Sequence, residues 1–276
     1  MAIITISRGS YSKGKEIAEK VAQQLGYECV ARRILLEVSE EFNVPEVQLK
    51  RAIHDAPSFF KYVSHSKERY ISFIRAEILK HLRKDNMVYH GLAGHFFVKG
   101  VSHVLRVRII ADLDDRVRLE MDREGIPKEE AIHLLQKDDE ERRKWSKSLY
   151  GIDTWDASLY DLVIRIQKFS VEDAVDMICH SAMLGQFRTT PESQQTIDDL
   201  ALAAQIKAAL VDVKRDLQVS AKSGTVFVTA EVPRGNEESL AQRIRKIANS
   251  IADIKDLKID IRGFPSWMGG GRGGLD

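Results

Sequence analysis

Residues 3–26 read IITISRGSYSKGKEIAEKVAQQLG, and this stretch decides the fold of the N-terminal part of the chain. Its first four residues are uninterrupted and mostly β-branched, which is typical of a strand buried on both faces of a sheet. Further along, Ile17, Val21 and Leu25 recur at helical spacing, and Gly26 follows where a C-terminal cap belongs. The stretch therefore predicts a strand, a glycine-bearing loop and a helix, which is the opening of a βαβ unit.

The loop between strand and helix has the spacing of a phosphate-binding loop. Gly9, Gly14 and Lys15 match the first seven positions of the pattern GxxxxGK[ST]. In such a loop the backbone N–H groups and the helix N-terminus attract an anion, and the lysine reaches the terminal phosphates. The eighth position is Glu16, which supplies no hydroxyl for Mg²⁺. A solvated turn rich in glycine and serine is the alternative interpretation.

Length, charge and cysteine content narrow the class of protein. The 276 residues favour two domains, and 43% hydrophobic with 30% charged residues is typical of a globular chain. With 42 Lys and Arg against 41 Asp and Glu, the net charge is +1, so we expect no nucleic-acid partner. The two cysteines, Cys29 and Cys179, form no disulfide framework and favour a reducing compartment. Without a signal peptide or a long apolar run, we expect a cytoplasmic protein with no transmembrane segment.

Strand and helix patterns alternate over the first 184 residues. Strand patterns recur at 86–91, 103–111 and 159–166, with helical patterns between them. Such alternation predicts an α/β domain, 1–184, with a parallel sheet and helices on both faces.

The remaining residues differ in composition. Residues 185–196 (GQFRTTPESQQT) are polar and lack apolar periodicity, which predicts a linker that proteases should cut. Residues 197–262 show a helix-strand-strand-helix-strand pattern, which predicts a small separate α+β domain. The glycine-rich end, 263–276, is expected to be a disordered tail.

Several motifs together suggest a family. The segment ISRGSYSKGKEIAEKVAQQLGYECVARRIL (6–35) resembles the opening of the cytidylate kinase-like proteins, a branch of the P-loop nucleoside monophosphate kinases. The resemblance continues through HVLRVRIIADLDDRVRLEMDREGI (103–126), DEERRKW (139–145) and YGIDTWDASLYDL (150–162). It implies a P-loop kinase fold and the transfer of a phosphoryl group from ATP to a nucleoside monophosphate, with Mg²⁺ as cofactor.

The resemblance implies a role for the loop as the donor site. Phosphoryl transfer depends on positioning and on neutralising charge, so it needs cations from several elements. Lys15 is the catalytic candidate here, and Glu16 is no anomaly because the branch departs from the Ser/Thr rule at this position too. The residues that would hold the donor phosphates are Arg8, Gly9, Ser10, Ser12, Lys13, Gly14, Lys15 and Glu16.

Further catalytic candidates come from two helices. Arg116 and Arg123 lie seven residues apart and so share a helix face, and they match arginines that this fold places against ATP. Asp139 and Arg142 match the Asp-x-x-Arg of the family's lid, where the arginine covers both phosphates. Arg32 is the candidate for placing the acceptor. The alternative interpretation of each arginine is that it lies on a solvent-exposed helix face and has no catalytic role.

Three positions depart from the family on the acceptor side. Ala31 stands where an acid is usual, Leu92 where an arginine follows Gly91, and Arg165 where an asparagine is usual. The alternative function is therefore a binding or regulatory protein that senses a nucleotide or another anion without efficient turnover.

Two histidines flank the end of a predicted sheet strand. His90 and His95 stand where α/β proteins form their sites, but ordinary loop or core-edge histidines are the favoured interpretation. No His/Cys spacing predicts a zinc site, so no metal-ligating residue is assigned.

The C-terminal segment resembles a BON domain. The order of its predicted helices and strands matches that family, and Gly224 fits a turn position that needs positive φ. The resemblance implies a protein or phospholipid partner, and Arg243, Arg245 and Lys246 could face anionic lipid, with a solvated face as the alternative.

Overall fold

A computed structural model of the chain describes residues 2–9, 12–31, 33–42, 67–91, 94–251 and 254–265. Ser10 and Arg32, two of the predicted site residues, lie outside these ranges, as does most of the glycine-rich tail. Leu92 also lies outside them.

A five-stranded parallel sheet forms the centre of the N-terminal part. Its strands lie in the order β2-β3-β1-β4-β5, and every neighbouring pair is parallel. The central strand β1 is buried along nearly its whole length, as its β-branched sequence predicts. The strands are β1 (Ile3–Arg8), β2 (Glu28–Val30), β3 (Met87–His90), β4 (Val104–Ala111) and β5 (Leu162–Ile166).

Helices cover both faces of this sheet, which confirms the predicted fold class. On one face Ile4 and Ile6 pack against α1 and α7, while on the other Ile3 packs against α2, α3 and α4. Successive strand residues point to opposite faces, so a buried strand needs apolar residues throughout. The helices of this part are α1 (Gly14–Leu25), α2 (Arg33–Glu41), α3 (Lys67–Leu82), α4 (Gly94–Phe97), α5 (Leu113–Glu124), α6 (Lys128–Tyr150) and α7 (Val171–Ala182).

The C-terminal part has the predicted helix-strand-strand-helix-strand order. Helix α8 (Pro191–Leu210) leads to the hairpin of β6 (Gln218–Lys222) and β7 (Thr225–Pro233), and α9 (Glu237–Ala248) leads to β8 (Asp256–Phe264). Strands β6 and β7 are antiparallel, whereas β8 lies parallel to β7. The hairpin turn contains Gly224 at φ +84°, the positive value expected there.

Helix α8 belongs to two hydrophobic cores at once. Ile197 and Ala201 pack with α3 in the core of the N-terminal part. Leu202, Ile206 and Leu210 pack with β7 and α9 in the C-terminal core. The two parts of the chain therefore share α8, which contributes buried residues to both hydrophobic cores.

The expected linker at 185–196 is not an unstructured connection. A 3₁₀ turn occupies Gly185–Phe187, and α8 begins at Pro191. Thr190 and Ser193 form a reciprocal capping box, and the hydroxyl of Ser193 lies 2.7 Å from Nδ1 of the buried His103. The prediction was wrong because the polar residues and the proline are helix-start signals, which in sequence resemble a loop.

A core substitution in α8 tests this shared packing. We expect Ile197→Ala to lower the free energy of unfolding by about 2–4 kcal/mol, because Ile197 is fully buried. Urea unfolding should show one transition for both parts, and exposed Gln195→Ala should change stability by less than about 0.5 kcal/mol. Two separate transitions, with only the C-terminal one shifted, would contradict the shared core.

Across the described ranges, we find no helix that combines the length and apolar character needed to cross a bilayer.

Candidate functional site

The predicted loop lies between β1 and α1, and the structure describes Gly9, Ser12 and Lys13 in it. The N–H of Gly9 donates to the carbonyl of Ile109 on β4 at 3.3 Å, and the hydroxyl of the fully buried Ser12 donates to the Gly9 carbonyl at 3.0 Å. Lys13 has a left-handed conformation (φ +59°) immediately before α1. The predicted order of strand, loop and helix is confirmed.

Gly14 is required by close packing at the start of α1. A Cβ atom at this position would lie 2.7 Å from Cβ of Arg8, closer than real side chains approach. The loop therefore returns against the end of β1, and the second glycine of the motif has a steric reason in this chain.

The two ionic side chains after Gly14 point along the helix surface. Lys15 is 65% exposed, and its Nζ lies 3.7 Å from Glu19. An exposed pair of this kind contributes little, so Lys15 can turn towards an anion at the loop. Glu16 lies 3.1 Å from Lys20, which also contacts Glu172. The Glu16 carboxylate is thus turned to a cation on its own helix.

Arg116 connects the loop to helix α6. It lies at the start of α5, is 8% exposed, and its Nη2 lies 2.8 Å from Oδ2 of Asp139. This contact is an ion pair without hydrogen-bond geometry, and within the described ranges Nε also lacks a hydrogen-bond partner. Nη1 lies 4.0 Å from the point where a Cβ of Gly9 would be. The structure therefore brings Arg116 and Asp139 together beside the loop.

The other two predicted arginines have different surroundings. Arg123 is half exposed and pairs with Glu120 and Glu124 on its own helix. It lies about 10 Å along the axis from Arg116, at 1.5 Å per residue. Arg142 follows Asp139 by three residues on α6 and is partly buried. The structure does not place Arg123 at the loop, and its role stays a prediction.

The end of α6 is tied to the segment that follows it. Arg143 donates to both carboxylate oxygens of Asp153, at 2.6–3.0 Å, and Lys147 lies 3.0 Å from Asp153. The hydrogen bonds from Arg143 hold the pKa of Asp153 well below its usual range. Arg143 also lies over the ring of Trp155, 4.7 Å from its centre. These contacts fix α6 against residues 151–156.

The two histidines differ in their surroundings. His90 ends β3 opposite Ile6 on β1 and is buried, and no described residue bonds to its Nδ1. Burial first, and then the charges of Arg8 and Lys15, lower the pKa of His90 to about 4. His90 is therefore a neutral imidazole that faces the loop cations. His95 packs against Phe96, and burial lowers its pKa to about 3, which fits a core-edge residue.

Sequence reasoning missed a polar contact at the end of β1. The hydroxyl of Tyr160 lies 3.3 Å from Oγ of Ser7 and 3.0 Å from the carbonyl of Thr154, and Arg108 donates to it at 3.2 Å. The available signal was position, because Ser7 lies next to the last residue of a buried strand, beside the loop. Arg165, which stands where an asparagine is usual in the family, donates to both carboxylate oxygens of Asp112.

Among the described residues, one group has metal-type ligands outside the loop. Glu37 on α2 faces Glu77 and His81 on α3, and His81 contacts Glu37 closely while lying 3.4 Å from Glu77. Lys80 lies 2.6 Å from Glu41 and 3.2 Å from Glu77. Two basic side chains therefore contact three carboxylates, and the group is an ion-pair network that joins α2 to α3.

This network predicts a pH-dependent stability. The hydrogen bonds to Glu77 and Glu37 raise the pKa of His81, so its contribution is complete below its ordinary value of 6.5 and is lost as the pH rises through the raised pKa. Burial opposes ionisation of Glu77, but His81, Glu41 and Lys80 together lower its pKa to about 2. Its contribution is present above its ordinary value of 4.5 and is lost as the pH falls towards 2. The network therefore stabilises most between about pH 4.5 and 6.5.

We expect His81→Gln to lower the free energy of unfolding by about 3 kcal/mol at pH 5.5 and by less at pH 8.5. Urea unfolding at both values measures this difference. His133→Gln, at an exposed position on α6, is the control and should show no such dependence. An equal loss at the two pH values would mean that His81 stabilises by packing alone.

The geometry defines a class of protein. A parallel sheet in the order β2-β3-β1-β4-β5, with a glycine-bearing loop between its central strand and α1, is that of a P-loop kinase. Residues 3–168 match the cytidylate kinase-like family, and the chain belongs to it. The prediction of a nucleotide kinase is confirmed at this level.

Known proteins resemble about two thirds of the chain. A cytidylate kinase from Methanocaldococcus jannaschii is 31% identical over 184 residues, which cover 64% of this chain and 94% of that protein. One from Methanopyrus kandleri is 26% identical over 178 residues, 64% and 90% of the two chains. An uncharacterised protein from Eubacterium ventriosum, of known crystal structure, has a TM-score of 0.51 at 20% identity. It covers 66% of this chain and 98% of its own, and this likeness shows the fold alone.

Proposed function

We propose that this protein is a cytoplasmic kinase that transfers a phosphoryl group from ATP to a nucleoside monophosphate. The observation that carries the proposal is the Arg116–Asp139 pair beside Gly9. It brings a buried cation from α5 and a carboxylate from α6 to the phosphate loop that follows β1. A converging set of this kind is what phosphoryl transfer requires.

The loop fits the phosphates of a nucleotide. A Cβ at Gly14 would clash with the Arg8 side chain, so glycine lets α1 begin close to the end of β1, and Lys15 is exposed at the first turn of α1. In this proposal the loop N–H groups bind the donor phosphates, and Lys15 and Arg116 neutralise the charge on the transferred group. Arg142 covers the phosphates from α6, while Asp139 orients Arg116.

The metal requirement is met in a different way from the usual phosphate loop. Ser12 donates its hydroxyl to Gly9, and Glu16 pairs with Lys20. Mg²⁺, when bound, supplies charge neutralisation to the donor phosphates. Since these two side chains are engaged within the protein, we propose that the phosphates are the main ligands of the metal.

A turnover assay tests the proposal. Radiolabelled ATP is offered with each nucleoside monophosphate, and CMP is the first acceptor to test because both archaeal relatives are named cytidylate kinase. Labelled diphosphate product supports the kinase. Calorimetric titration with Mg-ATP runs beside it, and tight binding without transfer to any monophosphate would refute the proposal.

A second candidate function is a nucleotide or anion sensor. The observation that favours it is the shared helix α8, which joins the kinase core to the C-terminal part through Ile197 and Leu202. In this proposal the C-terminal part is a BON-like domain that binds a protein or a phospholipid surface. Exposed Arg243 and Lys246 on α9 suit an anionic partner. Vesicles with and without an anionic lipid distinguish the two kinds of partner.

A further inference from the structure

Strand β8 lies at one edge of the three-stranded C-terminal sheet. The sheet has the order β6-β7-β8, and among the described residues no strand pairs with the outer side of β8. With nine residues, Asp256–Phe264, it is longer than the average strand, whereas a short strand is a common protection of a sheet edge. An edge of this length presents a row of backbone groups with which another strand can pair.

The outward backbone groups of β8 belong to its apolar residues. The N–H of Arg234, just after β7, donates to the carbonyl of Phe264 at 2.9 Å, so the backbone groups of Phe264 turn towards β7. Since these groups alternate in direction along a strand, those of Leu257, Ile259 and Ile261 turn outwards. Their side chains pack against the C-terminal core and stay partly exposed. The outer edge therefore offers backbone donors and acceptors together with apolar surface.

The remaining side chains of β8 are charged and alternate in sign. The exposed positions, on the face of the sheet opposite the core, are Asp256, Lys258, Asp260 and Arg262. A second, antiparallel copy of β8 centred on Ile259 places Asp256 opposite Arg262. The same register places Lys258 opposite Asp260. Each contact occurs twice by symmetry, so the strand is complementary in charge to a copy of itself.

The charges favour this register over its neighbours. A copy centred on Lys258 or on Asp260 places like charges directly opposite each other, which destabilises a strand pair. A copy centred on Leu257 or on Ile261 forms half as many pairs of opposite charge. In the preferred register Ile259 lies opposite its own copy and Leu257 lies opposite Ile261. The outward backbone groups of the two strands then meet as hydrogen-bonding pairs.

We propose that β8 pairs with β8 of a second copy of this chain. The two C-terminal sheets then form one continuous sheet of six strands, with an antiparallel pair at its centre. The inference does not depend on the proposed kinase activity. A partner of another sequence would need the complementary order of charges, whereas a second copy supplies that order through two-fold symmetry. The C-terminal part is therefore the dimerisation module of the protein.

Reversal of single charges tests this pairing. Arg262→Glu places a second carboxylate opposite Asp256, and Asp256→Lys places a second cation opposite Arg262. When the two variants are mixed, opposite charges face each other again at both positions. Both positions are exposed, so neither substitution should disturb the fold. Lys222→Glu, at an exposed position on β6 at the other edge of the sheet, is the control with the same change of charge as Arg262→Glu.

Sedimentation equilibrium of the full chain at several concentrations gives the dissociation constant, and thermal unfolding confirms that each variant folds. We expect the wild-type mass to rise with concentration from that of one chain towards that of two. Each of the two β8 variants should raise the dissociation constant about 10-fold or more. Their equimolar mixture should return it close to the wild-type value, and Lys222→Glu should leave it unchanged.

Three results would overturn the proposal. The first is a wild-type chain that stays monomeric at every concentration. The second is a dimer that neither β8 variant weakens, since that dimer uses another surface. The third is a mixture of the two variants that associates no better than each variant alone, because the register centred on Ile259 requires the restored charge pairs to act.

Discussion

Lys15→Ala is expected to lower kcat for phosphoryl transfer about 10³-fold while leaving the fold intact. Lys15 stands at the seventh position of the loop motif, on the first turn of α1, where its ammonium can reach the terminal phosphates of a nucleotide. Its protein contact is an exposed pair with Glu19 at 3.7 Å, which contributes about 0.5 kcal/mol or less to stability. The substitution should therefore lower kcat and leave the stability of the protein nearly unchanged.

The matched control for Lys15 is a lysine of the same helix. Lys20 lies between Glu16 and Glu172 and has a structural partner on α7. Lys20→Ala should keep kcat within a few-fold of the wild-type value. Steady-state kinetics with labelled ATP and CMP give kcat and KM, and thermal unfolding confirms that each variant folds. Full activity in Lys15→Ala would remove this lysine from the site.

The second large effect is expected at Arg116. Arg116→Met should lower kcat about 10²-fold because the cation beside Gly9 is lost. It should also lower the free energy of unfolding by about 3 kcal/mol, since a mostly buried ion pair is broken. Both losses arise from one ion pair, and they can be separated at Asp139.

Asp139→Asn separates the two roles of this pair. The amide removes the ion pair but leaves the Arg116 cation beside the loop, so kcat should fall by less than in Arg116→Met. Arg118→Met is the control on α5, because Arg118 is 73% exposed and contacts Asp115 alone among the described residues. Equilibrium urea titrations give the stability of each variant, and initial rates give kcat. A loss of stability in Arg116→Met without any loss of kcat would assign the pair to the fold.

Short-range patterns in the sequence were sufficient to predict the first strand and helix, β1 and α1. Burial on both faces of β1 demands continuous apolar residues, and the 3.6-residue period of α1 is visible in Ile17 and Val21. The same local reasoning failed at Thr190 and Ser193, because cap residues and loop residues are chemically alike. The structure distinguishes them by the reciprocal capping box and by the contact of Ser193 with a buried histidine 90 positions away.

The candidate site could be predicted only in part. The resemblance placed Arg116 and Asp139 in the site, and the structure brings them together. It could not show that Arg123 pairs with Glu120 and Glu124, since a shared helix face does not determine which neighbours a long side chain selects. Nor could it separate His90 from His95, because burial and the charges nearby depend on distant segments.

The shared helix α8 makes the C-terminal part act as a ligand that is covalently attached to the kinase core. Its apolar contacts with α3 are present only when both parts are folded, so each part contributes to the equilibrium of the other. By thermodynamic linkage, a nucleotide that favours the docked arrangement of α3 and α8 must also favour any molecule that prefers this arrangement at the C-terminal sheet. For a molecule of that kind the coupling would be reciprocal and equal in free energy, so a titration with nucleotide would report on its binding.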